Sequence, residues 1–431
     1  HLQIAPKEFT LMHNWSQLLS GPVLAVCTNS PLLFGKELWA ENRIALFKQS
    51  LDTRSKRNHS RITLPRVYFG NTWCRGSALE LWKKDAIRFP TLLQGFGDDD
   101  PFDLLKAGQT PKLKSIRLHN GTTYTWNRLC YGVADNSPHI RIECRYLPAG
   151  PSMADEIANF ALWIGLMKSL PESMHDFTDQ VDFRIAKENF LRAARYGIQS
   201  VQHWFGKNYS AKALMLDILL PMARQGLESM QVAQADIDQY LGIIERRSQS
   251  EQTGSEWQIH NFRQLTTKYK PALAGRLLVQ ESLQYQEANL PVHEWENLDR
   301  TKVHQLSQHL IVTPHLVEDL MQQEVLTVRD NVSVEFIRSI FSWKGFHHLP
   351  VEDSNGDLVG MVTPSMVESP TLSPDSLARD VMATKITTFE PGQSIEAAVK
   401  LMQDKNITYL SIVERDKLVG ILTKSDVQEY L

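Results

Sequence analysis

Between Ile140 and Leu147 the chain alternates apolar residues with Arg141, Glu143 and Arg145. In a β-strand, residues two apart share a face and the rise is about 3.3 Å per residue, so these charged heads would stand about 6.6 Å apart in one line. A carboxylate between two guanidiniums suits a divalent cation that holds polyphosphate oxygens. Glu143 would ligate the cation, and an arginine would meet a transferred phosphoryl group in fork geometry. The same row is also what the wet face of an ordinary antiparallel strand looks like. Whether the face is enclosed decides between the two.

Elements that would position this row are legible on both sides of it. Helices are expected over Trp15–Cys27 and after Ser152, which precedes Asp155 at capping spacing ahead of the apolar run Ile157–Met167. Strands are expected at His1–Ile4, Arg66–Phe69, Ser115–Leu118, Gly121–Trp126 and Ile140–Leu147, with Asn120-Gly121 as a hairpin turn. From about Phe183 to Asn297 strand signals vanish. Apolar residues at three- and four-residue spacing predict helices over Ile185–Trp204, Ala211–Gln225, Gln234–Ser248, Glu256–Tyr269 and Pro271–Gln286. The expected organisation is a mixed part at 1–180, a helical part at 181–300, a linker at 301–317 in which Leu306–Pro314 is either linker or a lead-in strand, and a last part at 318–431.

At 431 residues the chain exceeds one ordinary core, so two or three domains are expected. A net charge of −3, with no basic run beyond Arg54–Arg66, argues against a sequence-independent nucleic-acid role. No apolar run approaches the roughly 18–20 residues that span a bilayer, and Leu18–Val26 is broken by Gly21-Pro22, so no membrane role is expected. Cys27, Cys74, Cys130 and Cys144 form no CxxC pair and read as reduced, mostly buried thiols of a cytoplasmic protein. The first residue is His1 rather than Met and already lies in a strand pattern, so the chain reads as a fragment.

The last part is an internal repeat. Asp319-Leu320-Met321, Asn331-Val332-Ser333-Val334, Gly345 to Leu349 and Leu358 to Thr363 recur as Asp380-Val381-Met382, Gly392-Gln393-Ser394-Ile395, Asn406 to Leu410 and Leu418 to Thr423, about 60 residues on. Each copy reads as strand, helix, strand, turn, strand, helix, and neither would bury its sheet alone. Order, spacing and duplication over 318–370 and 378–431 resemble a pair of cystathionine-β-synthase-type (CBS) domains. The resemblance implies an α/β module that binds adenosine-containing ligands in clefts between its copies and regulates an attached domain. In the second copy Gly420 to Asp426 resembles the family's ligand motif. The Thr423 hydroxyl at a strand end can bond a phosphate, and Asp426 at a helix start can accept both ribose hydroxyls. Asp426 is equally a good residue for a helix's first turn. In the first copy Met366 replaces the motif's Asp. One adenine nucleotide (AMP, ADP or ATP) per pair is therefore expected, its base framed by Thr408 or Tyr409 and the backbone near Ile386. His347-His348 stands where the second copy has Thr408-Tyr409. Adjacent strand residues point to opposite faces, so these imidazoles line or pack and do not chelate one metal.

The first three hundred residues resemble the glutamate–cysteine ligase type 2 and carboxylate–amine ligase family. The residues that carry the likeness are His1 to Ile4, Asn29 to Gly35, the Arg43 to Arg54 segment, Trp126-Asn127-Arg128, Ile140 to Pro148 and Asn189 to Gly197. The fold class this implies is α+β: a glutamine-synthetase-like antiparallel sheet with helices and a helical extension, followed by the tandem α/β CBS pair. It also implies an ATP-dependent ligase with Mg²⁺ or Mn²⁺, in which a carboxylate, commonly that of glutamate, is phosphorylated and an amino-acid amine then displaces phosphate. By the same resemblance His1 and Glu143 are metal ligands and Gln3, on the same strand face as His1, meets nucleotide or substrate. Arg145 and Arg128 are phosphoryl and acyl-phosphate clamps, and Arg141 merely flanks the sheet. Arg128 has a bland reading as a stack on Trp126. Arg43 and Arg54 are candidates for substrate-carboxylate recognition, and Arg192 and Arg195 read as solvated. Further metal-binding glutamates of the family lie on strands ahead of His1, so the fragment alone is expected to be inactive. Two other readings stay open: a non-catalytic adenine-nucleotide-sensing scaffold derived from a ligase, and a ligase specific for the amine of cysteine, as in glutathione biosynthesis. A homodimer is the expectation from CBS pairs.

Overall fold

The computed structural model describes residues 1–52, 54, 65–93, 100–299, 301–303, 316–345, 347–368, 372–373 and 375–428. They divide into two compact units, one of residues 1–265 and 277–299 and the other of residues 266–276 and 300–431. The expected connector Leu306–Pro314 lies outside the described residues.

The first unit is organised by a three-stranded antiparallel sheet and the helices behind it. Its strands are β1 (Leu2–Ile4), β2 (Asn127–Ala134) and β3 (Ser137–Cys144), in the order β1-β3-β2. β2 and β3 are joined through Asp135 and Asn136, whose φ values of 49° and 58° suit a two-residue turn that matches the strands' twist. Counting outward from that turn sets Leu129 opposite Ile142 and Arg128 opposite Glu143. On the other side of β3, Leu2 lies opposite Ile142 and Gln3 opposite Arg141. Because side chains alternate, Ile4, Leu129 and Ile142 go into the core and the charged row stays on the other face.

Helix α1 (Phe9–Ala25) runs through the centre of this core and is buried over most of its length. Gly21 is required there by close approach: a Cβ at this position would meet the Asn189 carbonyl carbon at 2.7 Å. The Gly21-Pro22 pair that interrupts the apolar run is thus accommodated inside a continuous helix. Trp15 donates its Nε1–H to the Leu166 carbonyl at 2.8 Å. A correction concerns α2 (Lys114–Gly121), which is helical where the alternation of Ile116 and Leu118 predicts a strand and Asn120-Gly121 a hairpin turn. Of the expected strand Gly121–Trp126, Tyr124–Thr125 forms, paired in parallel with Val67–Tyr68.

Helix α3 (Met153–Lys168) begins at Ser152, whose hydroxyl accepts from the Asp155 amide as its spacing predicts. α4 (Phe183–Tyr196) packs against α1 and stops earlier than its apolar spacing predicts. Gly197 follows with φ +54°, and a Cβ there would meet Thr28 Oγ1 at 3.0 Å. The chain then makes a hairpin, Val201–Trp204 against Lys207–Ser210, in a region read as helical throughout. Its turn, Phe205-Gly206, has φ values of 42° and 80°, a conformation that a local Gly supports better than any periodicity reveals. Helices α5 (Gln234–Ser250), α6 (Gly254–Thr266) and α7 (Pro271–Glu287) follow as expected. Between α3 and α5, Asp155 and Arg247 form a buried ion pair at 2.7 Å. Asp155 also accepts from Ser152 Oγ and the Val292 amide, and Arg247 donates to Asn159 Oδ1 and the Val26 carbonyl.

The second unit carries the repeat. Each copy has one short strand parallel to the first member of an antiparallel pair: Val328–Arg329 with Leu349–Glu352 and Leu358–Val362, then Thr388–Phe389 with Tyr409–Glu414 and Lys417–Thr423. The lead-in segments are exchanged. Val317, Leu320 and Met321 sink into the second copy's core with Ile395, Leu410 and Leu422, while Ala378 lies in the first copy's core with Val334 and Leu349. This exchange explains the glycine of each strand motif. A Cβ on Gly420 would meet Met321 Sδ at 2.7 Å, and one on Gly360 would run into Met382 Sδ. No helix among the described residues is long and apolar enough to cross a membrane.

Candidate functional site

Three strands converge on Glu143. Its Oε1 lies 3.3 Å from His1 Nε2, just before β1, and its Oε2 lies 2.8 Å from Arg145 Nε and 2.5 Å from Arg128 Nε on β2. The side chains of Glu143, Arg128 and Arg145 are 19%, 21% and 12% exposed and that of His1 is 41% exposed, so the row is partly buried and open to solvent on the His1 side. Arg145 also lies over the Tyr124 ring, its Cζ 4.4 Å from the centroid. The guanidinium that lies over Trp126 is that of Arg43, whereas Arg128, for which such a stack was the alternative reading, pairs with Glu143.

The guanidiniums hold more donors than Glu143 uses. Arg128 Nε is engaged by Glu143, whereas Arg141 Nε and Arg145 Nη1 are buried with no hydrogen-bond partner among the described residues. Leaving such donors unpaired is costly, and an anion bearing several oxygens would satisfy them. Beside the row opens a cavity of about 480 Å³ lined by His1, Arg128 and Arg141 together with Lys114, Arg117 and Tyr131. Arg141, expected only to flank the sheet, therefore shares the site. Lys114 and Arg117 are the residues that sequence reasoning missed. Read as a strand, positions 114 and 117 fall on opposite faces, whereas the helix sets them on one face. Their i, i+3 spacing was the available signal.

Gln3 is exposed and lies across from Arg141 in register, one pair along from His1 and Glu143. Arg43 is spent on structure: it donates to the carbonyls of Arg145 and Tyr146 and pairs with Glu41. Arg54 pairs with Asp52. Arg192 and Arg195 are exposed. Cys130 Sγ lies 3.8 Å from Glu143 Oε2, but burial, despite Arg128 nearby, raises its thiol pKa. Burial pushes Cys27 and Cys144 up to about 12. All four cysteines are unbridged, and these three are poor nucleophiles.

For a divalent cation, Glu143 and His1 supply two donors. Among the described residues no group of three or more His, Cys, Asp and Glu side chains is placed to hold a metal ion. Two protein donors fit a magnesium-like ion that fills its shell with phosphate oxygens and water, and do not make a closed protein cage.

In the second copy of the repeat, Asp426 Oδ2 accepts from the Thr423 hydroxyl at 2.6 Å and the Thr423 amide at 2.9 Å. Its Oδ1 lies 3.3 Å from both Lys270 Nζ and Gln322 Nε2. The carboxylate thus caps a helix start and is met by a lysine of the same unit. Tyr409 lies against His348, with ring centroids 3.9 Å apart. In the first copy the Thr363 hydroxyl faces Ser365 Oγ, and Met366 packs against the core.

Residues 2–264 match the family described as glutamate-cysteine ligase family 2 (GCS2), and residues 317–367 and 378–431 match the CBS domain. A homoserine O-acetyltransferase of Methanococcoides burtonii is 30% identical over 124 residues, which are 28% of this chain and 25% of that protein. A CBS domain-containing protein of Dictyostelium discoideum is 26% identical over 131 residues, covering 27% of this chain and 90% of its own length. The chain spans about a quarter of the length of the first curated relatives it matches. Among solved structures, CBSX2 in complex with AMP is 25% identical with a TM-score of 0.25, covering 27% of this chain and 94% of its own. A CBS domain pair in complex with 5-methylthioadenosine and S-adenosyl-L-methionine is 24% identical with a TM-score of 0.25, covering 27% and 95%.

Proposed function

Because this chain belongs to glutamate-cysteine ligase family 2 and continues into a CBS pair, we propose that the intact protein is an ATP-dependent carboxylate–amine ligase whose activity answers to adenine nucleotide at that pair. The observation that supports the reading is the partly buried Glu143 row, with His1, Arg128 and Arg145 gathered on one carboxylate and two guanidinium donors, one on Arg141 and one on Arg145, left for an anion.

In the proposed reaction, an oxygen of the substrate carboxylate, glutamate or a similar acid, forms a bond to the γ-phosphorus of ATP. The bridging bond to ADP breaks. The amine nitrogen of an amino acid then bonds the acyl carbon, the acyl–oxygen bond breaks, phosphate leaves, and the nitrogen gives its proton to solvent. Arg128 and Arg145 stabilise the charge on the moving phosphoryl group, which needs positioned cations more than covalent help. Gln3 meets nucleotide or substrate at the same face. Glu143 and His1 would hold Mg²⁺ or Mn²⁺, whose chemistry is charge neutralisation at the phosphates.

At the second CBS copy, Thr423 would contact phosphate and Asp426 the ribose, with one adenine nucleotide per pair. Regulation then rests on a difference in nucleotide affinity between two states of the module. A homodimer is part of the proposal.

The test is carboxylate- and amine-dependent phosphate release from ATP by the intact protein. Glu143→Ala is expected to abolish release while circular dichroism still shows a folded chain at the assay temperature, with melting lowered because Arg128 and Arg145 lose their partner. Undiminished release in that variant would remove the assignment.

A further inference from the structure

A second cavity of the first unit, of about 110 Å³, is lined by residues of α1, of the helix Ala78–Arg88 and of β2. Asn127 and Leu129 of β2 border it, whereas Arg128 between them sits opposite Glu143. Side chains alternate along a strand, so this cavity lies on the face turned away from the Glu143 row. Of the described residues only Asn120, near the end of α2, borders both cavities. His13 in the lining is 7% exposed, and its Nδ1 is buried with no hydrogen-bond partner among the described residues. Burial holds this imidazole neutral by lowering its pKa to about 4, which leaves one ring nitrogen able to accept. Trp82 Nε1, which can only donate, is buried without a partner in the same way. Asp85 is also 7% exposed, and the Tyr68 hydroxyl donates to its Oδ1. Lys84 and Arg88, one helical turn apart, bring two cations to the same lining.

Charge and size narrow the ligand. A plain carboxylate would meet Lys84, Arg88 and the Trp82 donor but set a second anion beside Asp85. A plain ammonium would meet Asp85 and His13 and leave Trp82 Nε1 unpaired. A molecule with both ends satisfies both sets and adds no net charge to a partly buried space, where net charge is costly. A cavity of about 150 Å³ holds benzene, so one of about 110 Å³ admits about five or six non-hydrogen atoms. We propose that this cavity binds the zwitterion of a small α-amino acid, glycine or alanine, with its carboxylate toward Trp82 Nε1, Lys84 and Arg88 and its ammonium toward Asp85 and His13. Such a ligand joins the helix Ala78–Arg88 to α1 behind the strand that carries Arg128, a place for an amino acid that is sensed and not consumed. The site is separate from the ligase reading and does not require it.

The experiment titrates glycine and L-alanine into the intact protein, without ATP, by calorimetry and by thermal melting. Acetate and ethylamine, each carrying one end of the zwitterion, should bind about tenfold or more weakly, the loss expected for one charge-assisted hydrogen bond. Trp82→Phe keeps a ring and removes the N–H, and Asp85→Asn keeps an acceptor for Tyr68 and removes the charge. Each should weaken amino-acid binding by about the same factor, with circular dichroism checking that the chain is folded. Glu143→Ala should leave the affinity unchanged. Neither heat nor a melting shift with either amino acid overturns the proposal, because the cavity would then hold water only. So does wild-type affinity in either Trp82→Phe or Asp85→Asn, and so does acetate binding as tightly as glycine. A loss in Glu143→Ala as large as that in Trp82→Phe also overturns it, since the amino acid would then sit at the row. Phosphate release insensitive to Glu143→Ala would remove the ligase reading, whereas these titrations would still decide the cavity.

Discussion

Lys270 offers the sharpest test of nucleotide sensing. Its Nζ stands 3.3 Å from Asp426 Oδ1, the oxygen not already held by Thr423. A ribose that binds Asp426 must displace this ammonium, so the ion pair opposes nucleotide binding. At 3.3 Å and an effective dielectric of about 20 the bare attraction is about 5 kcal/mol, an upper bound. The lysine side chain is 40% exposed although Asp426 is 6% exposed, so solvent and side-chain entropy reduce the net value to about 0.5–1 kcal/mol. Lys270→Met, which keeps the side chain's length and removes its charge, should therefore tighten AMP binding by about two- to fivefold. Calorimetric titration of AMP into the intact protein and the variant measures it. Weaker binding in Lys270→Met would refute the reasoning, because the ammonium would then be contacting the nucleotide and not competing with it.

Two further expectations concern the scaffold. Arg247→Met leaves Asp155 charged and buried between α3 and α5, and should cost about 3–5 kcal/mol in chemical denaturation of the first unit; a loss below about 1 kcal/mol would contradict the pairing. His13 is buried, and burial lowers its pKa from 6.5 to about 4. Between those values the unfolded chain binds the extra proton, so stability should fall with acidification by up to about 3 kcal/mol. Asp85 and Glu41, whose carboxyl pKa values burial raises, act in the opposite sense: their contribution is present at low pH and lost as pH rises. The wild-type stability profile minus that of His13→Asn isolates the histidine, and equal slopes below pH 6.5 would contradict its burial in the neutral form.

The alternation in β3 was readable because a strand's period is two, and Arg141, Glu143 and Arg145 declare it. Their partners were readable only in part. The Asp135-Asn136 turn fixes Arg128 opposite Glu143 by simple counting, yet Asn120-Gly121 looks like the stronger hairpin signal and lies at the end of a helix. Lys114 and Arg117 were hidden by the same choice, since Ile116 and Leu118 fit a strand as well as a helix over so short a span. The Phe205-Gly206 hairpin escaped because apolar spacing carries no information about positive φ. In the repeat, order and spacing identify the copies, but they are symmetric under exchange. Which core receives Met321 depends on packing, and Gly360 and Gly420 were the local hint.

In the proposed function the Glu143 row activates a carboxylate by phosphoryl transfer. Substrate acid labelled with ¹⁸O in the reacting carboxylate, turned over by the intact protein with ATP and amine, tests it directly by mass analysis of the released phosphate. One ¹⁸O atom per phosphate formed is expected, carried over when the acyl–oxygen bond breaks. Unlabelled phosphate, with all the ¹⁸O kept in the acid or its amide, would contradict it.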